Sequence, residues 1–179
     1  MAFTLWFTGL PGSGKSVLAK KVKNQFKKNY GRDITILRLD AIRKTITPMP
    51  DYSDSERAIV YRAIYLMAEV LNEHNIDVII DATANKRIWR DEARKLVVNF
   101  YEVYVKCPIG ICIERESQRH DGVTPEDIYE KAKKGSPVPG INTAYEEPLE
   151  PEVVVESDKM SVEESAGKIT GFIAGIMNG

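Results

Sequence analysis

One stretch near the start carries residue types and spacing that suit a single chemical task. Gly9-Leu10-Pro11-Gly12-Ser13-Gly14-Lys15-Ser16 matches the pattern G-x-x-x-x-G-K-[ST] at every required position. Glycines let the backbone wrap tightly and turn several N–H groups toward phosphate oxygens. The positive end of a following helix adds to that field. Lys15 is placed to reach the terminal phosphates, and the Ser16 hydroxyl to ligate Mg²⁺. A degenerate loop would have no need to keep both residues, and both are intact. The stretch is read as a nucleotide-binding loop.

That loop works only between a strand and a helix, and the flanks supply both. Phe3 to Thr8 is an apolar, β-branched run that reads as a strand, and Leu18, Val22 and Phe26 recur at helical spacing. Gly31 suits the cap of that helix. A second strand, Ile34 to Leu39, ends at Asp40, and open α/β sheets bind ligands at this edge. Asp40 is therefore a candidate magnesium partner or base, with a helix N-cap as its plain alternative. Arg43 lies one turn further on. Thr45 to Asp54 reads as a loop carrying Tyr52, and Ser53-x-x-Glu56 is a capping box that opens a helix over roughly 54 to 74. Val60, Ile64, Met67 and Leu71 form its predicted inner face. Arg57 and Arg62, in its first turns, are candidate ligands for an anionic substrate.

The third strand, Ile76 to Ile80, is a continuous apolar run and ends in Asp81, a Walker-B-like or substrate-contacting position. Lys86 to Val97 reads as a helix, Tyr101 to Val105 as a fourth strand, and Ile109 to Ile113 as the start of another helix, with Arg115 and Arg119 after it. Residues 117–146 change character, being polar with several Gly and Pro, and read as a lid over the phosphates. Within it, Thr124-Pro125-Glu126-Asp127 looks like a helix start. Glu152 to Glu156 is a short fifth strand, and a second capping box at Ser161-x-x-Glu164 opens an amphipathic C-terminal helix. Strands alternating with helices predict an α/β fold, a three-layer sandwich with a parallel sheet of about five strands. No repeat or linker divides the 179 residues, so a single domain is expected.

Composition narrows the partners. Hydrophobic content is 43% and charged content 28%, as in ordinary water-soluble proteins. A net charge of −1 argues against a nucleic-acid or anionic-membrane partner. No apolar stretch approaches the ~20 residues of a membrane span, and no secretory signal is recognisable. Cys107 and Cys112 are too few for a disulfide framework and read as buried thiols. The expected compartment is the cytoplasm.

At this point the motifs resemble the adenylylsulfate (APS) kinase family. Trp6-Phe7-Thr8-Gly9-Leu10 leads into the loop as in that family, and Leu39-Asp40-Ala41-Ile42-Arg43 is similar to the second half of its Leu-Asp-Gly-Asp-x-Ile-Arg segment. Tyr52-Ser53-Asp54-Ser55-Glu56-Arg57 looks like its Phe-Ser-x-x-x-Arg. Cys112-Ile113-Glu114-Arg115, Tyr129 to Gly135 and Tyr145-Glu146-Glu147-Pro148 resemble its later segments. The resemblance implies a P-loop kinase that moves the γ-phosphate of ATP to the 3′-hydroxyl of adenosine 5′-phosphosulfate, with Mg²⁺. It implies that Gly9, Leu10, Pro11, Gly12, Ser13, Gly14, Lys15, Ser16 and Val17 hold ATP, and that Lys15, Asp40 and the cations Arg115 and Arg119 act in catalysis. Asp40, Arg43, Tyr52, Arg57, Asp81 and Lys131 are the expected substrate residues, with Tyr52 against adenine. A homodimer is also in keeping with it. Some positions differ from the pattern: Arg38 stands where the family has the first Asp, and Ala82-Thr83-Ala84-Asn85, with Asp81 before it, replaces its Phe-Ile-Ser-Pro.

Other readings stay open on the residues alone. The same scaffold could serve a nucleoside, a polynucleotide end or another small alcohol, or could bind ATP without turnover. A GTP switch is disfavoured, because the one Asn-Lys pair, Asn85-Lys86-Arg87-Ile88, lacks the acid of Asn-Lys-x-Asp.

Overall fold

The computed structural model describes residues 2–119 and 127–178. Its centre is strand β1 (Thr4–Thr8), which is buried along its whole length. β1 lies between β3 (Asp77–Asp81) and β4 (Phe100–Lys106); β2 (Ile34–Arg38) and β5 (Val153–Glu156) complete a parallel sheet of order β2-β3-β1-β4-β5. Side chains alternate across β1 because a strand has period two. Phe3, Leu5 and Phe7 face one core with Val22 and Phe26 of α1 (Lys15–Tyr30) and Ile169 and Ile173 of α7 (Val162–Asn178). Trp6 faces the other, with Val60, Tyr61 and Ile64 of α3 (Asp54–Glu73) and Trp89 of α4 (Arg87–Leu96). Two helical layers on a parallel sheet give the expected three-layer sandwich.

Both capping boxes form. Ser53 Oγ accepts from Glu56 N at 3.2 Å, and Ser161 Oγ accepts from Glu164 N at 3.2 Å. At the second box Ser161 N donates back to Glu164 at 2.8 Å. At the first, Glu56 reaches past the cap to Asp51 N and Tyr52 N, at 2.5 and 2.9 Å. This side chain therefore orders the loop before α3 as well as the helix start.

Three local expectations are corrected. β2 ends at Arg38, and Asp40 falls in the first turn of α2 (Leu39–Ile46), which enters the stretch expected to be loop. Leu39 is buried against α3, and that contact turns the chain into helix early. Met67 is 40% exposed on α3, since Val60, Ile64 and Ala68 already fill the buried stripe. Arg62 is also exposed, on the outer face of the helix.

α5 (Ile109–Ser117) follows β4, and α6 (Ile128–Lys133) lies within the stretch expected to be a lid. The expected helix start at Thr124-Pro125-Glu126 lies outside the described residues. Tyr129, Ala132 and Val138 form a small core with Cys107 and Cys112, both free thiols.

Candidate functional site: a phosphate loop beside a cavity

The loop takes its shape from two glycines that could not be anything else. Gly9 has φ 150°, and a Cβ there would lie 2.4 Å from the Val105 carbonyl oxygen. Gly12 has φ 78°, and its Cβ would lie 2.3 Å from the Cys112 carbonyl oxygen. The loop is thus pressed directly onto the end of β4 and the first turns of α5. Lys15 folds over it, donating to Gly9 O at 2.9 Å and Leu10 O at 2.8 Å. Burial lowers the Lys15 pKa, while the charges of Asp81 and Asp40 oppose that shift.

Two supports for the loop were not legible in the sequence. Ser157, just after β5, donates its hydroxyl to Ser13 O at 2.7 Å, and Tyr129 donates its hydroxyl to Pro11 O at 2.7 Å. Both contacts span more than a hundred residues, so no local pattern marks them.

A cavity of about 300 Å³ opens beside Lys15 and Ser16. Asp40, Arg43, Tyr52, Arg57, Asp81 and Lys131 all line it, so these expected substrate residues are brought to one place, while Arg62 is not among them. Arg43 ion-pairs with Glu56 in a buried contact and lies 5.2 Å from the Tyr52 ring centroid. Arg57 donates to Tyr52 O at 2.9 Å, to Asn85 Oδ1 at 3.2 Å and to Pro137 O at 3.4 Å. These bonds fix the guanidinium planes, which is how a cation is held ready for a bidentate anion. Tyr52 sits at φ 58°, a strained backbone state for a non-glycine residue. Burial, followed by the nearby charge of Asp81, raises the Asp40 pKa, and Lys15, Arg43 and Arg119 pull it back.

Arg115, expected among the catalytic cations, lies off the cavity wall formed by Asp40, Arg43 and Arg57. It lies on α5 and donates to Ser157 Oγ at 3.0 Å and Ser157 O at 2.8 Å. From there it borders the hollow on the outer side of the loop, with Gly12, Gly14, Val17 and Arg119. Arg119 approaches the Ser16 hydroxyl, with Nη2 3.4 Å from Oγ. Arg90 of α4 is buried, ion-paired to Glu102 at 2.5 Å and bonded to Glu146 O at 2.6 Å, so its contacts are structural.

Magnesium fits these donors. Ser16 and Asp40 both line the cavity, and hydroxyl and carboxylate oxygens are the hard ligands that Mg²⁺ prefers. Among the described residues no group of three His, Cys, Asp or Glu could hold a metal by itself. That suits an ion bound largely through nucleotide phosphates and water.

Comparison with known proteins decides the family. The model of the adenylylsulphate kinase family matches residues 1–156. The chain belongs to that family. A probable adenylyl-sulfate kinase of Archaeoglobus fulgidus is 34% identical over 161 residues, covering 89% of this chain and 98% of the relative. An adenylyl-sulfate kinase of Bacillus velezensis is 35% identical over 175 residues, covering 94% of this chain and 83% of the relative. The solved structure of a Mycobacterium tuberculosis APS kinase in complex with AMPPNP and APS superposes with a TM-score of 0.84, at 27% identity, covering 97% of this chain and 98% of that one. The sandwich is thus the P-loop NTPase fold of the adenylylsulphate kinases, and the chain is an ATP-dependent phosphotransferase acting on an alcohol.

Proposed function

We propose that this enzyme transfers the γ-phosphate of ATP to the 3′-hydroxyl of adenosine 5′-phosphosulfate. The observation that carries the reading is the single cavity in which Lys15 and Ser16 meet Asp40, Arg43 and Arg57. Side chains suited to hold a phosphate, accept a proton and clamp an anion line the same cavity. The relatives named for this activity support the choice of acceptor.

Catalysis here is positioning plus stabilisation of charge on the moving phosphoryl group. The loop N–H groups and Lys15 hold the terminal phosphates. Arg43 and Arg57 grip the phosphosulfate end and direct the sugar toward the loop. Asp40 accepts the proton of the attacking hydroxyl. Ser16 and Asp40 would hold Mg²⁺, which supplies charge neutralisation to the phosphates. Residues 117–146 act as the lid, and Arg57 is bonded to it through Pro137 O. Lys131 adds a cation from α6. The reaction takes place in the cytoplasm on a small molecule, and among the described residues no helix is long and apolar enough to cross a membrane.

The test is ATP consumption with magnesium and a panel of acceptors: adenosine 5′-phosphosulfate, nucleosides, short oligonucleotides and small alcohols. Strong turnover on the first compound is expected. Turnover confined to another member would overturn the acceptor while leaving the reaction class standing.

A further inference from the structure

Neither Arg38 nor Asp81 is given a contact with substrate in the steps above, yet the two are placed with care. They are register partners across β2 and β3. Arg38 Nε lies 3.7 Å from Asp81 Oδ2, and the two side chains are 19% and 7% exposed. Asp81 also pairs across its other edge with Phe7 of β1, two residues before Gly9. Its carboxylate therefore stands between the strand that feeds the phosphate loop and the strand that leads to Asp40. It lines the cavity with both Lys15 and Asp40, and its charge acts on both.

A carboxylate more than nine-tenths buried needs hydrogen-bond donors, or its desolvation is uncompensated. At 3.7 Å, Arg38 offsets the charge of Asp81 but stands beyond direct hydrogen-bond length. Accepting capacity therefore remains at the cavity wall. The donor that suits it is neutral. With Arg38 already balancing the charge, a second cation gains little, whereas a hydroxyl donates without adding charge. The reaction proposed above brings hydroxyl groups to this wall, one of them to Asp40.

We infer that Asp81, poised by Arg38, accepts a hydrogen bond from a second hydroxyl of the acceptor, vicinal to the one that Asp40 deprotonates. The inference rests on the proposed transfer to a sugar hydroxyl. It makes Asp81 the residue that selects a cis-diol over a deoxy sugar, and Arg38 the positioning residue behind it.

The experiment compares kcat/KM for adenosine 5′-phosphosulfate and its 2′-deoxy analogue in wild type, Asp81→Ala, Arg38→Met and the Arg38→Met/Asp81→Ala double variant. The double variant removes both charges together, so it stays informative if Asp81→Ala alone folds poorly. Wild type should prefer the diol by about 10- to 100-fold, the range for a hydrogen bond to a charged partner. Removing Asp81 should collapse that ratio to about 1, because loss of its charge beside Lys15 and Asp40 changes both activities alike while the lost hydrogen bond lowers only the activity on the diol. Arg38→Met should give an intermediate ratio. A purely structural defect lowers both activities together and keeps the ratio, and that result would overturn the inference. A ratio kept alongside a several-fold rise in half-saturating Mg²⁺ would assign Asp81 to metal-bound water and overturn it too. If wild type turns over neither compound, the acceptor assignment falls first. The ratio is then read on the acceptor that the panel identifies, and an acceptor without vicinal hydroxyls overturns this inference as well.

Discussion

Ser157 Oγ and the backbone carbonyl of Ser13 are joined by a 2.7 Å hydrogen bond, which ties the end of β5 to the phosphate loop. The same hydroxyl accepts from Arg115 at 3.0 Å, so one small side chain positions both the loop and a cation beside it. Ser157→Ala should raise KM for ATP by about 3- to 10-fold, the worth of one or two ordinary hydrogen bonds. KM for the acceptor should stay within about two-fold, since Ser157 is not at the acceptor cavity wall. Steady-state kinetics with each substrate varied in turn would show the split, and equal effects on both would contradict it.

Lys15→Ala should lower kcat by about 10²–10³-fold or more, because it removes a preorganised cation from the developing charge. The fold should survive, since among the described residues the Lys15 ammonium hydrogen-bonds within its own loop. Activity assays beside circular dichroism would check this. Near-normal turnover would remove Lys15 from the mechanism.

Glu56 has two tasks, and its loss should show both. It ion-pairs with buried Arg43, and it accepts from the N–H groups of Asp51 and Tyr52. Glu56→Ala leaves the Arg43 guanidinium buried without its carboxylate, a change that typically costs about 3–5 kcal/mol. The Tm should fall by roughly 6–20 °C on the usual scaling for a chain of this size. KM for the acceptor should rise with it, because Tyr52 and Arg43 lose their common anchor. A variant with wild-type Tm would show that the pair contributes nothing.

The pH dependence of stability can be read at Glu102. Burial raises its pKa above the usual 4.5, with Arg90 and then Arg94 pulling it back. A carboxyl whose folded pKa is raised binds more protons when folded than when unfolded. Its contribution is therefore fully present below the unfolded value and is lost as pH rises through the folded one. Acidification toward 4.5 thus works in favour of the fold at this group, against the trend of salt-bridged surface acids such as Asp54, whose pKa is lowered by its hydrogen bond with Lys86. Glu102→Gln should lose stability more steeply than wild type between pH 7 and 5. Urea unfolding at several pH values would reveal it, and parallel curves would refute it.

The phosphate loop was legible without coordinates because its chemistry is local: glycines, a lysine and a hydroxyl within eight consecutive residues, between a strand and a helix. The sheet class and both capping boxes were legible for the same reason, since periodicity and capping act over three or four residues. Element ends were less so. Asp40 fell inside α2 because Leu39 packs on α3, a contact that no neighbouring residue announces. Sequence also named Arg43, Tyr52, Arg57 and Asp81 one by one, yet their convergence on one wall is a product of strand order and helix packing. Ser157 under the loop, Arg115 on the far side of it and Arg38 opposite Asp81 were decided by tertiary structure alone. The local chain dictates which groups are available. Parallel pairing of distant strands, driven by burial of two apolar faces, decides which of them meet.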